Sequence, residues 1–385
     1  MKKARQHQFM TIITAFLLML NLSSCDKPQQ NYHTANVPST SDSITTDQEA
    51  RLIKDYNEYF HADIALPDDI PDHVDILYAK PFSFSENTLV ELFFDNGAPQ
   101  RESDSLGNEI FYQGTDGSYL NISTDLHMDI HYRNAADIRV KLPTENFGTK
   151  HTEIMLPDSY TPRFDIIYKQ KDLTGFSREQ AVSAAMTIFD GLGLSVSDDI
   201  EIYAVDHETM QEYTDSVIAN EPDVIENYDI VEAYTEDDDF YLLGFSITFN
   251  GLPITQRSYT DPTSGRYMQG SYSEVRVSRN GITRLDMSCP WTVCGIADTV
   301  QNLVSPEYAV DKVFSEFDSA NSQIHAAVTD IALEYIAIPS SGEDDTVLLV
   351  PAWDITLALE FDVGEYLHKM YSINAVSGEI IGKLN

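Results

Sequence analysis

The sequence predicts an α+β chain: an N-terminal antiparallel β-rich domain followed by two helix-plus-antiparallel-sheet units. Three observations carry this expectation. Between residues 74 and 142, short segments alternate apolar and polar residues and are separated by Asn-Gly, Leu-Gly-Asn and Asp-Gly turn signals. The frame S-x-E-x-A-V occurs at Ser177–Val182 and returns at Ser305–Val310. Each copy opens an apolar stripe at helical spacing, and strand-like runs follow it.

Taken in order, the chain begins with a basic stretch (Lys2, Lys3, Arg5), an apolar run from Phe9 to Leu20, and Leu22-Ser-Ser-Cys25. The run is short for a spanning helix and is followed by small residues, the build of a cleavable export signal over 1–24. The Leu-Ser-Ser-Cys ending resembles the lipobox of bacterial lipoproteins. That resemblance implies diacylation of Cys25, which becomes the first residue of the mature chain and holds it stably at a bilayer. Residues 25–48 are rich in Ser, Thr, Gln, Asn and Pro and too poor in apolar residues to fold, so they read as a flexible tether.

The charge is far from balanced: 24 Lys+Arg against 62 Asp+Glu, a formal net charge of −38. Such a surface repels phosphate backbones and anionic headgroups, which argues against a nucleic-acid partner. With 42% hydrophobic residues the chain still has the composition of a folded body.

That body is expected to start with an N-terminal domain over 49–165. "RLIKDYNEYF" (51–60) reads as a short helix, and "HVDILYA", "TLVELFFDNG", "NEIFYQG", "GSYLNIST", "LHMDIHYR" and "ADIRVKL" read as strands of a meander. Pro143, Pro157 and Pro162 then interrupt regular structure. In the first unit (166–300), Ser177 is placed to cap a helix, with Glu179 in its first turn and Gln180 completing a capping box. Val182, Ala185, Met186 and Phe189 form the apolar face, and Gly191-Leu-Gly193 stops it. A second helix is expected near 207–219. In the second unit (301–385), Ser305 is the cap, Pro306 takes the first helical position, Glu307 follows, and Val310, Val313, Phe314 and Phe317 form the stripe.

The ending "PAWDITL…YSINAVSGEII" resembles the C-terminal hairpin of PepSY-type domains. Trp353, Asn374, Ala375, Gly378 and Glu379 carry the likeness, behind the Ser305–Glu307–Ala309 helix start. Their physical roles are those of folding: a large buried ring, an Asx-turn, and a glycine free to adopt positive φ. With "FNGLPI" and "VRVSRNGITRL", residues 175–385 look similar to the tandem PepSY-like modules of YycH/YycI-type extracellular regulators, and the whole chain looks similar to a family of uncharacterised clostridial lipoproteins with this layout. The resemblance implies two PepSY-like units and a protein partner at the membrane. YycH/YycI proteins reach their partner with a membrane helix, where this chain has the lipobox.

Chemistry is harder to find. Cys289 and Cys294 in "CPWTVC" pair only if a turn at Pro290 closes the gap; otherwise they are buried thiols. The spacing matches no zinc pattern, and no HExxH, GxSxG, Walker loop or GxGxxG occurs. His73, His127, His131, His151, His207, His325 and His368 share no ligand spacing beyond the pair His127/His131, and two ligands do not make a metal site. The acidic runs Glu236–Asp239 and Glu343–Asp345 read as solvated hairpin tips without an EF-hand pattern, and Tyr234, Phe240, Tyr241 and Phe245 as core. The expectation is therefore a non-enzymatic lipoprotein without metal or cofactor, lipid-anchored at the extracytoplasmic face of the cell membrane, that binds and modulates another exported or membrane protein. The alternative is a binding protein for a wall-associated small ligand, peptide or glycan; a hydrolase with a dispersed site is the third reading.

Overall fold

The alternating segments become two eight-stranded sheets, visited in an order that a linear reading does not anticipate. The computed structural model describes residues 50–67, 70–94, 98–123, 128–139, 172–220, 233–262, 264–320, 324–340, 346–360 and 366–383. The first strands are β1 (Arg51–Asp55), β2 (Phe60–Ala65) and β3 (Val74–Pro81). β1 and β2 pair as an antiparallel hairpin across residues 51–65. "RLIKDYNEYF" is therefore not a helix: Asn57 accepts the Tyr59 and Phe60 amides through Oδ1, making a local turn that competes with helix. "TLVELFFDNG" is corrected in the other direction. Helix α1 (Glu86–Phe93) buries Leu89 and Phe93, four residues apart on one face.

Strands β4 (Gln100–Ser103), β5 (Glu109–Gln113), β6 (Tyr119–Ser123) and β7 (Asp129–Arg133) form a meander. The short helix α2 (Ala135–Arg139) takes the first four residues of the strand expected at "ADIRVKL", the rest of which lies outside the described residues; Asn134 Oδ1 accepts the Ala136 and Asp137 amides and starts it. Helix α3 (Arg178–Leu192) has the reciprocal Ser177/Gln180 capping box and ends at Gly193 with φ of 69°. β8 (Glu201–Val205), α4 (His207–Asn220), β9 (Phe240–Phe245), four two-residue strands β10 to β13 between Thr248 and Met268, β14 (Tyr272–Ser278) and β15 (Gly281–Ser288) follow. The chain ends with β16 (Trp291–Val300), α5 (Pro306–Ala320), β17 (His325–Pro339), β18 (Val347–Glu360), β19 (Tyr366–Asn374) and β20 (Ile380–Lys383).

Pairing divides these strands by distance from the chain ends. One sheet has the order β4-β5-β6-β7-β15-β14-β9-β8, all from the middle of the sequence. The other joins β1-β2-β17-β18-β19-β20, with β3 bridging β16 and β18, so it combines the first and last strands. β18 forks: Val347–Leu349 pair with β3, and Ala352–Glu360 pair with β19. Pro351 lies at the fork, where its missing amide proton leaves no donor unpaired. One apolar core runs from α1 and α3 across the middle sheet to Leu77, Tyr335 and Leu349 of the other. A second core packs Val310, Val313 and Phe317 of α5 against Trp353, Ile355 and Ile373.

The expected α+β succession of a β-rich N-terminal domain and two PepSY-like units is thereby overturned. The described residues hold twenty strands and five helices, a mostly-β chain built on two large sheets. The strands of residues 51–133 distribute over both sheets, pairing with partners more than a hundred residues away, such as β3 with β16 and β7 with β15. Each expected unit lacked the partners that complete its sheet. Strand pairing across such distances leaves no periodic trace in a local window.

Candidate functional site

Across β7, β15 and β14 the middle sheet has one apolar and one ionic face, a consequence of two-residue alternation. In β7, Ile130 and Tyr132 face the core, so Asp129, His131 and Arg133 face the other way; β15 and β14 alternate alike. The registers Arg133↔Arg284 and Arg284↔Arg276 then place three guanidinium-bearing residues in one row across three adjacent strands. The next row is His131↔Asp286↔Glu274. Like charges directly opposite are destabilising, and carboxylates offset them. Asp137 of α2 lies 3.5 Å from Arg276 Nη1 and 3.9 Å from Arg133 Nε. Arg284 Nε donates to Asp286, and His131 Nδ1 lies 2.8 Å from the same carboxylate.

Burial pushes the Asp286 carboxyl up, but the His131 hydrogen bond and the Arg284 and Arg276 charges outweigh it and hold it down at about 2. The Asp286 hydrogen bond raises His131 against the opposing effect of burial. Burial raises Asp137 despite the nearby guanidiniums, and it lowers Arg276, with Arg284 adding repulsion. Removing one member of such a network leaves a buried charge uncompensated, which costs about 3–5 kcal/mol.

A second buried cluster lies on the other sheet. Thr255 and Ser372 donate their hydroxyls to the two oxygens of Asp354, and Arg257 Nη1 donates to Ser372 Oγ at 2.9 Å. The half-buried Glu334 side chain hydrogen-bonds Asp354 and Thr255. Desolvation by burial, then the Asp354 charge, pushes Glu334 up to about 8. The cluster fastens the 252–259 segment to β17, β18 and β19.

At the end of β7 and β15 lies a cleft of about 420 Å³. Phe93, Phe94 and Tyr132 supply apolar lining, with the Phe93 and Tyr132 rings stacked at 4.3 Å. Asp116, Ser118, Asn134 and Asn280 supply polar groups. Asp116, the one ionisable residue among those lining groups, accepts from Ser118 Oγ at 2.5 Å and Ser118 N at 3.0 Å, which holds its carboxyl below the usual range. Aromatic surface with a few convergent polar groups suits an uncharged or cationic ligand bearing an apolar group.

The residues singled out from sequence fall apart in space. Cys25, His127, His151 and the run Glu343–Asp345 lie outside the described residues, as does the His368 side chain. Cys289, with φ of 44°, is a buried free thiol, and Cys294 is an exposed one. Ser305 Oγ accepts the Tyr308 amide; Glu179 and Glu307 are in the first turns of α3 and α5. Trp353 is fully buried, Asn374 Oδ1 accepts the Val376 and Ser377 amides, and Gly378 has φ of 73°. His207 and Asp239 pair at 2.8 Å, and His325 packs against Tyr59. The run Glu236–Asp239 is only half a solvated tip: Glu236 and Asp237 lie near Arg279, whereas Asp238 and Asp239 are buried acceptors. Tyr234, Phe240, Tyr241 and Phe245 are core residues. Among the described residues, no group of three or more His, Cys, Asp or Glu is disposed to hold a metal, and no helix is long and apolar enough to cross a membrane. The arginine row was missed. Its sequence signal is the polar half of the alternation in "DIHYR", "SEVRVS" and "ITRLDMS".

No family model matches the chain, and no curated protein matches it. Among solved structures, that of an uncharacterized protein from Eubacterium rectale is similar, with a TM-score of 0.63 at 16% sequence identity. The match covers 87% of this chain and 94% of that one. At this identity the likeness shows a shared fold.

Proposed function

We propose that the chain is a non-enzymatic lipoprotein, anchored through Cys25 at the extracytoplasmic face of the cell membrane, that binds and modulates another exported or membrane protein. The observation that carries this reading is the basic, apolar, Leu-Ser-Ser-Cys succession ahead of a polar spacer. The test is metabolic labelling with a palmitate analogue, followed by crosslinking in intact cells. Label on the wild-type chain and none on Cys25→Ala, with a specific partner above an unrelated lipoprotein control, is the expected result. Equal labelling of both, or no specific partner, overturns the reading.

The cleft favours a second reading, binding of a wall-associated small ligand, peptide or glycan at Phe94, Tyr132 and Asn280. A thermal-shift screen of wall fragments tests it. Stabilisation that Asn280→Ala removes is expected, and no shift with any fragment sinks it.

A further inference from the structure

The sheet built from the chain ends has one strand unlike its other edges. β16 is ten residues long and pairs only with β3, so its second edge carries no strand among the described residues. Edge strands are ready templates for another chain, and proteins blunt them with charge or brevity. β1 carries Arg51, Lys54 and Asp55, and β20 is four residues long and ends on Lys383. β16 carries Asp298 alone.

Its geometry limits where a partner fits. The register with β3 skips Cys294 and Ala297, two bulges that bend the strand. At the far end Asp298 Oδ1 takes the Thr299 amide at 2.8 Å, and Thr299 Oγ1 donates to Asp75. The open stretch is therefore Thr292–Ala297. Ile296 is 61% exposed there, and Gly295 pairs with Tyr78, itself 43% exposed. A Cβ at Gly295 would meet nothing within 4 Å, so the space over the glycine is open.

We propose that the Thr292–Ala297 edge of β16 docks an extended, uncharged or basic segment of the partner protein, which adds as a further strand to the sheet. The inference rests on the protein-binding reading above and names its surface. Backbone pairing supplies affinity, and a side chain of the added strand crosses Gly295 to pack on Tyr78. Charge selects the occupant. A net charge of −38, with Asp298 beside the edge, repels acidic segments and a second copy of this chain, and attracts basic ones.

The experiment places a photo-crosslinking residue at 296 or at the exposed Leu106 of the full-length chain in intact cells. Crosslinking at 296 to one protein, and protection of the 292–297 amides from hydrogen exchange when that purified protein is added, is expected. Ile296→Lys is expected to weaken its binding at least tenfold, while Leu106→Lys leaves it unchanged. Crosslinks at 106 without any at 296 overturn the docking edge and leave the partner reading standing; no crosslink at either position removes both. Concentration-dependent dimerisation abolished by Ile296→Lys assigns the edge to a second copy and overturns the proposal.

Discussion

The Trp353 indole Nε1 donates to the Val304 carbonyl at 2.8 Å, joining the centre of β18 to the residue before the α5 cap. The ring is fully buried between α5 and the sheet. It therefore fixes both the depth and the entry point of the helix.

Replacing Trp353 separates these two contributions. Trp353→Phe keeps most of the apolar body and orphans a buried acceptor, an expected loss of about 1–3 kcal/mol. Trp353→Ala adds a cavity and is expected to cost about 3–5 kcal/mol. Urea denaturation midpoints at constant m-value measure both, and equal losses for the two variants refute the assignment of the bond.

Gly378 and Gly193 make a matched pair. Both have positive φ, 73° and 69°, yet a Cβ at 378 would lie 2.6 Å from Tyr308 Cε1, and one at 193 meets nothing. Gly193→Ala is expected to cost about 1 kcal/mol from backbone strain alone. Gly378→Ala should cost more, and Tyr308→Ala in the same chain should recover the excess. Chemical denaturation of the three variants decides it.

Glu334 gives stability a pH dependence. Burial and Asp354 raise its folded pKa to about 8, above that of the unfolded chain, so the folded state holds this proton more tightly. The contribution is full below the ordinary carboxylate range and is lost as pH rises through about 8. Between pH 6 and 9 the wild type is expected to lose stability that Glu334→Gln retains. Parallel pH profiles of denaturation midpoint contradict the raised Glu334 carboxyl.

The two body cysteines differ in reach. Cys294 is exposed and is expected to react with a maleimide in the folded state. Cys289 is buried, which pushes its thiol up, and should react only after unfolding. Mass spectrometry of labelled native and denatured protein reads the sites. Failure of both to react after unfolding without a reductant indicates a disulfide.

Local chemistry was legible in the sequence wherever it is settled within a few residues. Ser177 with Gln180, Pro306 after Ser305, and Asn374 before Gly378 act through neighbours that a short window contains. Three segments misled because apolar spacing alone does not fix the period: "ADIRVKL" alternates like a strand, yet Ala135–Arg139 are helical. Leu89, Val90, Leu92 and Phe93 pass for a buried strand, and Leu52, Tyr56 and Phe60 pass for a helical stripe. Strand partners are a different matter. Arg133, Arg284 and Arg276 meet because β7, β15 and β14 are adjacent, a fact held by the whole sheet and by none of the three segments.

The division of strands between the sheets also orders events during synthesis. The middle sheet closes once β15 has been made, because all its strands precede that point. β2 must wait for β17, and β3 for β16 and β18, so the β1–β2 hairpin and β3 are among the last to join a sheet. A chain that has emerged as far as residue 290 would hold a closed centre beside a β1–β2 hairpin and a β3 without a sheet to join. A chaperone that shields nascent chains has its longest task there.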